Sequence, residues 1–198
     1  MFTGIVAALG TVTDVLETPT GRRLEIADAA LFGDMTVGDS VAVNGVCLTA
    51  VEIRDGAVVV DVVQESLDRS NLGRVAIGSR VDLERPMPAS GRFDGHIVQG
   101  HVDGVGVVAA IDAEGEARRL RVEIEPQLGR YIVEKGSVTV DGVSLTVTAV
   151  GTEPSTWFEF VLIPHTLDVT VLGQRSLGDE VNLEMDVLAK YVERLMSK

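Results

Sequence analysis

The sequence predicts an all-β chain: two copies of one small antiparallel sandwich or barrel, closed by a short helix. Three observations carry this. The stretch Val43-Asn44-Gly45-Val46-Cys47-Leu48-Thr49 returns as Val140-Asp141-Gly142-Val143-Ser144-Leu145-Thr146. Each copy sets Asn-Gly or Asp-Gly between β-branched residues, and those dipeptides accept the positive φ angles of a type I′ hairpin turn. Further blocks recur in the same order: Gly4 and Gly10 with Gly100 and Gly106, Leu72-Gly73 with Leu172-Gly173, and Gly78, Val81, Leu83, Glu84 with Gly178, Val181, Leu183, Glu184. A spacing of roughly 100 residues is too long for a solenoid repeat and fits a duplicated domain.

In the first copy, residues 5–8 and 10–16 read as strands with a kink at Gly10. Residues 23–26 alternate polar and apolar. Residues 27–35 suit one helical turn. Residues 40–43 and 46–53 are the hairpin arms. Asp55-Gly56 is a second turn of this kind, and 57–63 follows as a strand. Residues 65–71 read as a short helix or loop, and 80–84 as the last strand. Close-spaced short strands with glycine turns give about six strands per unit. Residues 85–91, with two prolines and a glycine, suit a connector. In the second copy, 101–111 and 120–124 read as strands, 126–135 as a short helix, and 137–140 with 143–150 as the second hairpin. Residues 157–162 and 180–185 complete it. The units are then 1–85 and 96–186, with a linker at 86–95 and a helix at 187–198. Val187, Leu188, Tyr191, Val192 and Leu195 fall on one helical face. That stripe either covers a barrel end or packs against its copies in an oligomer; three turns do not persist alone in water.

Composition narrows the function. The chain of 198 residues is 45% hydrophobic and only 4% aromatic, so its cores are aliphatic. A formal net charge of −13 argues against nucleic acid and against an anionic membrane surface. One cysteine, Cys47, leaves no intrachain disulfide and suits a reducing cytoplasm. The start lacks the pattern of a signal peptide. Three histidines and one cysteine supply a metal site poorly. Gly100, Gly104 and Gly106 do not form a dinucleotide-binding fingerprint.

The copies differ where chemistry would sit. Ile5 aligns with His101, Cys47 with Ser144 and Glu65 with His165, whereas Thr49 and Thr146 agree. This predicts two similar pockets with different chemistry, for two similar ligands. Cys47 reads either as a reactive thiol or as a small buried hydrophobe. His101, between small neighbours, reads either as a group close to a ligand or as a bonded strand histidine. His96 and His101 are expected on opposite faces of a strand.

The opening Met1-Phe2-Thr3-Gly4-Ile5-Val6, both hairpin motifs, Gly100-His101-Val102-Asp103-Gly104 and the end from Asn182 to Leu195 together resemble riboflavin synthase of the α-chain type. The likeness covers nearly the whole chain, departing at Arg92-Phe93-Asp94 and Arg69-Ser70. It implies tandem six-stranded Greek-key barrels and a C-terminal helix that holds a homotrimer. It implies dismutation of two 6,7-dimethyl-8-ribityllumazine molecules without cofactor or metal, the substrates stacked between barrels of neighbouring subunits. It leaves association with lumazine synthase open. On this resemblance His101 is the base, or orients deprotonation of the 7-methyl group. Cys47 adds at C7 of the other lumazine or stabilises the adduct, with water or a ribityl hydroxyl as rival nucleophiles. Ser144 and Asp186 join the catalytic set. Phe2, Thr3, Ser40, Thr49 and Thr146 bind substrate. A non-catalytic lumazine- or flavin-carrying antenna protein of the same fold is the alternative.

Overall fold

The computed structural model describes residues 1–196. The first unit is a closed six-stranded antiparallel barrel. Its strands are β1 (Ala8–Thr18), β2 (Gly21–Ala27), β3 (Ser40–Val43), β4 (Val46–Arg54), β5 (Ala57–Val63) and β6 (Arg80–Glu84), in the order β1-β2-β5-β4-β3-β6. Short helices α1 (Ala29–Phe32) and α2 (Gln64–Arg69) fill the connections. Asp28 caps α1 by accepting from the Leu31 N–H. The repeated turn forms as expected. Asn44 and Gly45 have φ of 45° and 76°, and Asp141 and Gly142 have 48° and 88°.

The second unit corrects the expectation of two closed six-stranded barrels. It is an open seven-stranded sheet. Its strands are β7 (Gly104–Glu114), β8 (Ala117–Glu123), β9 (Ser137–Val140), β10 (Val143–Thr146), β11 (Ala149–Gly151), β12 (Trp157–Leu162) and β13 (Glu180–Met185). The order is β10-β9-β13-β7-β8-β12-β11. The cause lies in one segment. In the first unit β4 pairs with β3 through its start and with β5 through its end, bending at an irregularity between Ala50 and Glu52. That end is pinned by the tight Asp55-Gly56 turn. In the second unit residues 152–156 replace the tight turn, and β11 pairs with β12 at only Ala149, Val150 and Gly151. The strand breaks at Val147-Thr148. Its halves, β10 and β11, become the two edges of an open sheet joined by the chain itself.

Smaller differences follow from local chemistry. Residues 5–16 make no kinked pair: β1 is one strand, with its irregularity between Val12 and Asp14. Of 126–135 only Gly129–Tyr131 is helical, as one 3₁₀ turn. Residues 101–103 lie outside β7. A helix α3 (Pro164–Val169) mirrors α2, with proline in its first turn. The last helix, α4 (Val187–Met196), buries none of its residues in this chain.

Each unit has an aliphatic core. Leu24, Ile26, Val41, Val60, Leu72 and Leu83 anchor the first, and Leu120, Val122, Val140, Phe158, Phe160 and Leu183 the second. The opening segments cross over. Val6 packs on the second core, and Val102 on the first. Phe2 and Val98 form an antiparallel bridge between these segments.

Candidate active site

Strand alternation sets the face on which the hairpin residues act. In β3 and β4, Val41, Val43, Val46 and Leu48 point into the barrel. Ser40 pairs with Thr49 and Ala42 with Cys47, so these four share the outer face. In β9 and β10, Ser137 pairs with Thr146 and Thr139 with Ser144 on the equivalent face. Each unit therefore presents one small polar hairpin surface on its outside.

The crossed segments complete these surfaces. The Cys47 N–H donates to the Gly100 carbonyl at 3.0 Å, and the Ser144 N–H to the Gly4 carbonyl at 2.7 Å. Gly4 and Gly100 have φ of 77° and 79°. A Cβ on Gly4 would lie 2.6 Å from that of Ser144, and one on Gly100 2.5 Å from that of Cys47. Only glycine fits. Two buried glutamates hold the segments. Glu84 accepts from the Thr3 N–H at 2.7 Å, the Thr3 hydroxyl at 3.0 Å and the Gly4 N–H at 3.0 Å. Glu184 accepts from the N–H groups of Gln99, Gly100 and His101 at 2.6, 2.8 and 2.8 Å. Burial raises both carboxyls above their usual range, and the backbone donors oppose it.

The expected residues fall into two groups. Cys47, half-buried, and His101, exposed, line one cleft of about 360 Å³ with Glu65, Ser66, Arg69 and Asp103. Ser40 and Thr49 lie on the same sheet face as Cys47, though Ser40 lines a different cleft with Arg85 and Met87. The second group is Ser144, Thr146 and Asp186 on the other unit. Asp186 accepts from the Leu188 N–H at 2.9 Å and so starts α4. Asp103 ties the groups to the helix, accepting from the Met185 N–H at 2.7 Å and pairing with Lys190 at 2.6 Å. Phe2 is fully buried against Ala42 and Val98, and Thr3 is taken up by Glu84. Neither lines the cleft of Cys47 and His101.

Sequence reasoning missed His96. Its Nδ1 lies 2.7 Å from the Ser144 hydroxyl and its Nε2 3.1 Å from the Thr139 hydroxyl. Burial lowers its pKa from the ordinary histidine value, and the charge of Asp186 pulls it back up. The signal was the Thr139/Ala42 difference between the copies. Among the described residues no cluster of His, Cys, Asp or Glu is placed to hold a metal. No helix there is long and apolar enough to cross a membrane.

A duplicated β fold with one small polar face per unit, each finished by a segment of the other, defines a class of tandem ligand-binding proteins. The lumazine binding domain family matches residues 3–86 and 99–186. Riboflavin synthase of Mycobacterium tuberculosis (strain ATCC 25618 / H37Rv) is 50% identical over 197 residues, covering 99% of this chain and 98% of that protein. That of Actinobacillus pleuropneumoniae is 41% identical, covering 100% and 91%. LumP complexed with riboflavin superposes with a TM-score of 0.85 at 24% identity, over 93% of this chain and 99% of that one. LumP complexed with 6,7-dimethyl-8-(1'-D-ribityl) lumazine gives 0.83 at 22%, with the same coverage. The chain belongs to the riboflavin synthase family.

Proposed function

We propose that this chain catalyses the dismutation of two molecules of 6,7-dimethyl-8-ribityllumazine to riboflavin and 5-amino-6-ribitylaminouracil. One lumazine gives a four-carbon unit to the other. The two products contain the atoms of two substrates, so the reaction balances without an external oxidant or reductant. The observation that carries the reading is the pair of related but unequal faces, within a chain half identical to a riboflavin synthase along its full length.

The faces divide the chemistry. The cleft lined by Cys47 and His101 holds an imidazole for one lumazine and a thiol for the other. The 7-methyl proton is acidic because its carbanion delocalises into the ring, and an imidazole suits its removal near neutral pH. Cys47 adds at C7 of the other lumazine or lines the adduct. Ser144, backed by His96, meets the second lumazine, and Thr49 and Thr146 bond ring or ribityl oxygens. Holding two substrates face to face supplies much of the rate.

The chain acts as a homotrimer in this reading. Leu188, Tyr191, Val192 and Leu195 are 56%, 66%, 54% and 75% exposed. Glu193, bonded to Arg130 and Tyr131, holds α4 on the second unit with that stripe outward. This supports packing against other copies over cover for a barrel end. The lumazine complex of LumP supports the ligand class. The test is incubation with the lumazine alone, with a chelator present. Riboflavin absorbance should appear. A bound chromophore without turnover would instead favour the antenna protein, and activity that needs added metal would overturn the cofactor-free mechanism.

A further inference from the structure

The second hairpin carries a polar relay that the first lacks. Thr139 and Ser144 are ladder partners on one face, and His96 spans them. Their counterparts Ala42 and Cys47 pack instead against Phe2 and Val98. Thr139 is 1% exposed and His96 9%. Among the described residues, His96 is the only hydrogen-bond partner of the Thr139 hydroxyl.

That isolation settles the direction of the protons. A buried hydroxyl hydrogen without an acceptor is costly. Thr139 therefore donates to His96 Nε2, and the ring carries its proton on Nδ1. Nδ1–H donates to the Ser144 oxygen. The Ser144 hydrogen is left free, on a half-buried side chain at the surface where a ligand binds. The opposite tautomer would strand the Thr139 hydrogen and turn that of Ser144 into the ring.

We propose that Thr139 is a positioning residue: it fixes His96 as the Nδ1–H tautomer and so makes Ser144 a hydrogen-bond donor to a ring acceptor of the lumazine on the second unit. The proposal rests on the synthase reading. Addition of a nucleophile at C7 of that lumazine pushes an electron pair into its pteridine, and a donor preset at a ring acceptor stabilises that charge as it forms. The chain His96 to Ser144 to ligand polarises the last bond. Cys47 has no such support, so the two faces differ in what they can stabilise.

The test begins with the whole, free protein. With ¹⁵N labelling, the ring nitrogens of the three histidines can be resolved, and His96→Gln assigns its own signals. His96 should show a protonated Nδ1 and a bare Nε2. Thr139→Val, close in shape, should disturb that pattern and lower kcat about tenfold with KM nearly unchanged, the loss of one hydrogen bond made in the transition state. Thr139→Ser should restore both. A protonated Nε2 in the unaltered protein overturns the proposal, as does Thr139→Val with unchanged kcat or Thr139→Ser as impaired as Thr139→Val. The tautomer is read without turnover, so a protein that makes no riboflavin would sink the synthase reading and leave the role of Thr139 to be decided by the spectrum.

Discussion

Asp82→Asn should stabilise the protein, and the reason lies where the two units meet. Asn182 donates from its own N–H to Asp141 Oδ1 at 2.8 Å, accepts from the Asn71 N–H at 2.6 Å, and donates from Nδ2 to the Asn44 carbonyl at 2.8 Å. Asp82 is its counterpart. It donates its N–H to Asn44 Oδ1 at 2.8 Å and accepts from the Val171 N–H at 2.8 Å. The third bond is missing: Oδ2 has no partner among the described residues. By the pseudo-symmetry it faces the Asp141 carbonyl, an acceptor. An amide there would donate. The gain is about 1 kcal/mol for the new bond and about 1–2 kcal/mol for no longer burying an unpaired oxygen, so about 2–3 kcal/mol in all. For a chain of this size that raises Tm by roughly 5–10 °C. The effect depends on pH. Burial raises Asp82 well above the usual carboxylate range; the Val171 N–H and Arg175 oppose this, and Asp141 adds to it. The unfolded chain releases this proton near pH 4, while the folded protein keeps it to higher pH. Above about pH 4 the unfolded state binds fewer protons, so stability falls as pH rises toward the folded-state value. Unfolding in urea, followed by circular dichroism at pH 4.5 and pH 7.5, reads both effects. The variant should lead at pH 7.5, and the lead should shrink toward pH 4.5, where protonated Asp82 itself carries a donor. Equal stability at pH 7.5, or a lead that shrinks as pH rises, refutes the argument.

Gly100→Ala should cost at least about 2 kcal/mol and most of the turnover, because its Cβ would meet Cys47 at 2.5 Å on a positive-φ backbone; thermal unfolding and steady-state assays check this, and a variant as stable as the parent contradicts it. His101→Ala should lower kcat about 10²-fold or more with a smaller change in KM. Cys47→Ser separates a nucleophile from a wall of the cleft: turnover near that of the parent enzyme eliminates covalent catalysis by this residue. Deleting 187–198 should leave monomers with little activity, and sedimentation showing an intact trimer would remove α4 from assembly.

The duplication and its turns were legible because Asn44-Gly45 and Asp141-Gly142 are local signals: their backbone angles are properties of the dipeptides themselves. Closure of the second sheet was not. It depends on whether residues 143–151 pair as one strand along their length, and that turns on the connection at 152–156, where Pro154 removes a ladder donor without fixing which strand loses its partner. His96 was hidden for a related reason. Counting five residues to His101 assumes a strand, but only Phe2 and Val98 bridge here, and alternation does not apply to the rest of the segment. Thr3 was carried over from the family resemblance; that its hydroxyl donates to Glu84, a partner 81 residues away, is a long-range pairing that no local pattern shows.

The crossing of the opening segments bears most on how the two faces came to differ. Gly4 belongs in sequence to the first copy and finishes the surface of the second. Gly100 does the reverse. A substitution near the start of either copy therefore alters the pocket on the other, while the hairpin that it leaves behind is unchanged. His96 shows the consequence. It lies two residues before Val98, the residue that mirrors Phe2, and reaches Ser144 and Thr139 on the second hairpin. The corresponding Cys47 and Ala42 pack against Phe2 and Val98 instead. The Cys47 face in turn holds His101 where the Ser144 face has Ile5. Each imidazole enters through the linker or the segment next to it, within a few residues of the bridge at Val98. That short stretch, more than either hairpin, separates the chemistry of the two faces.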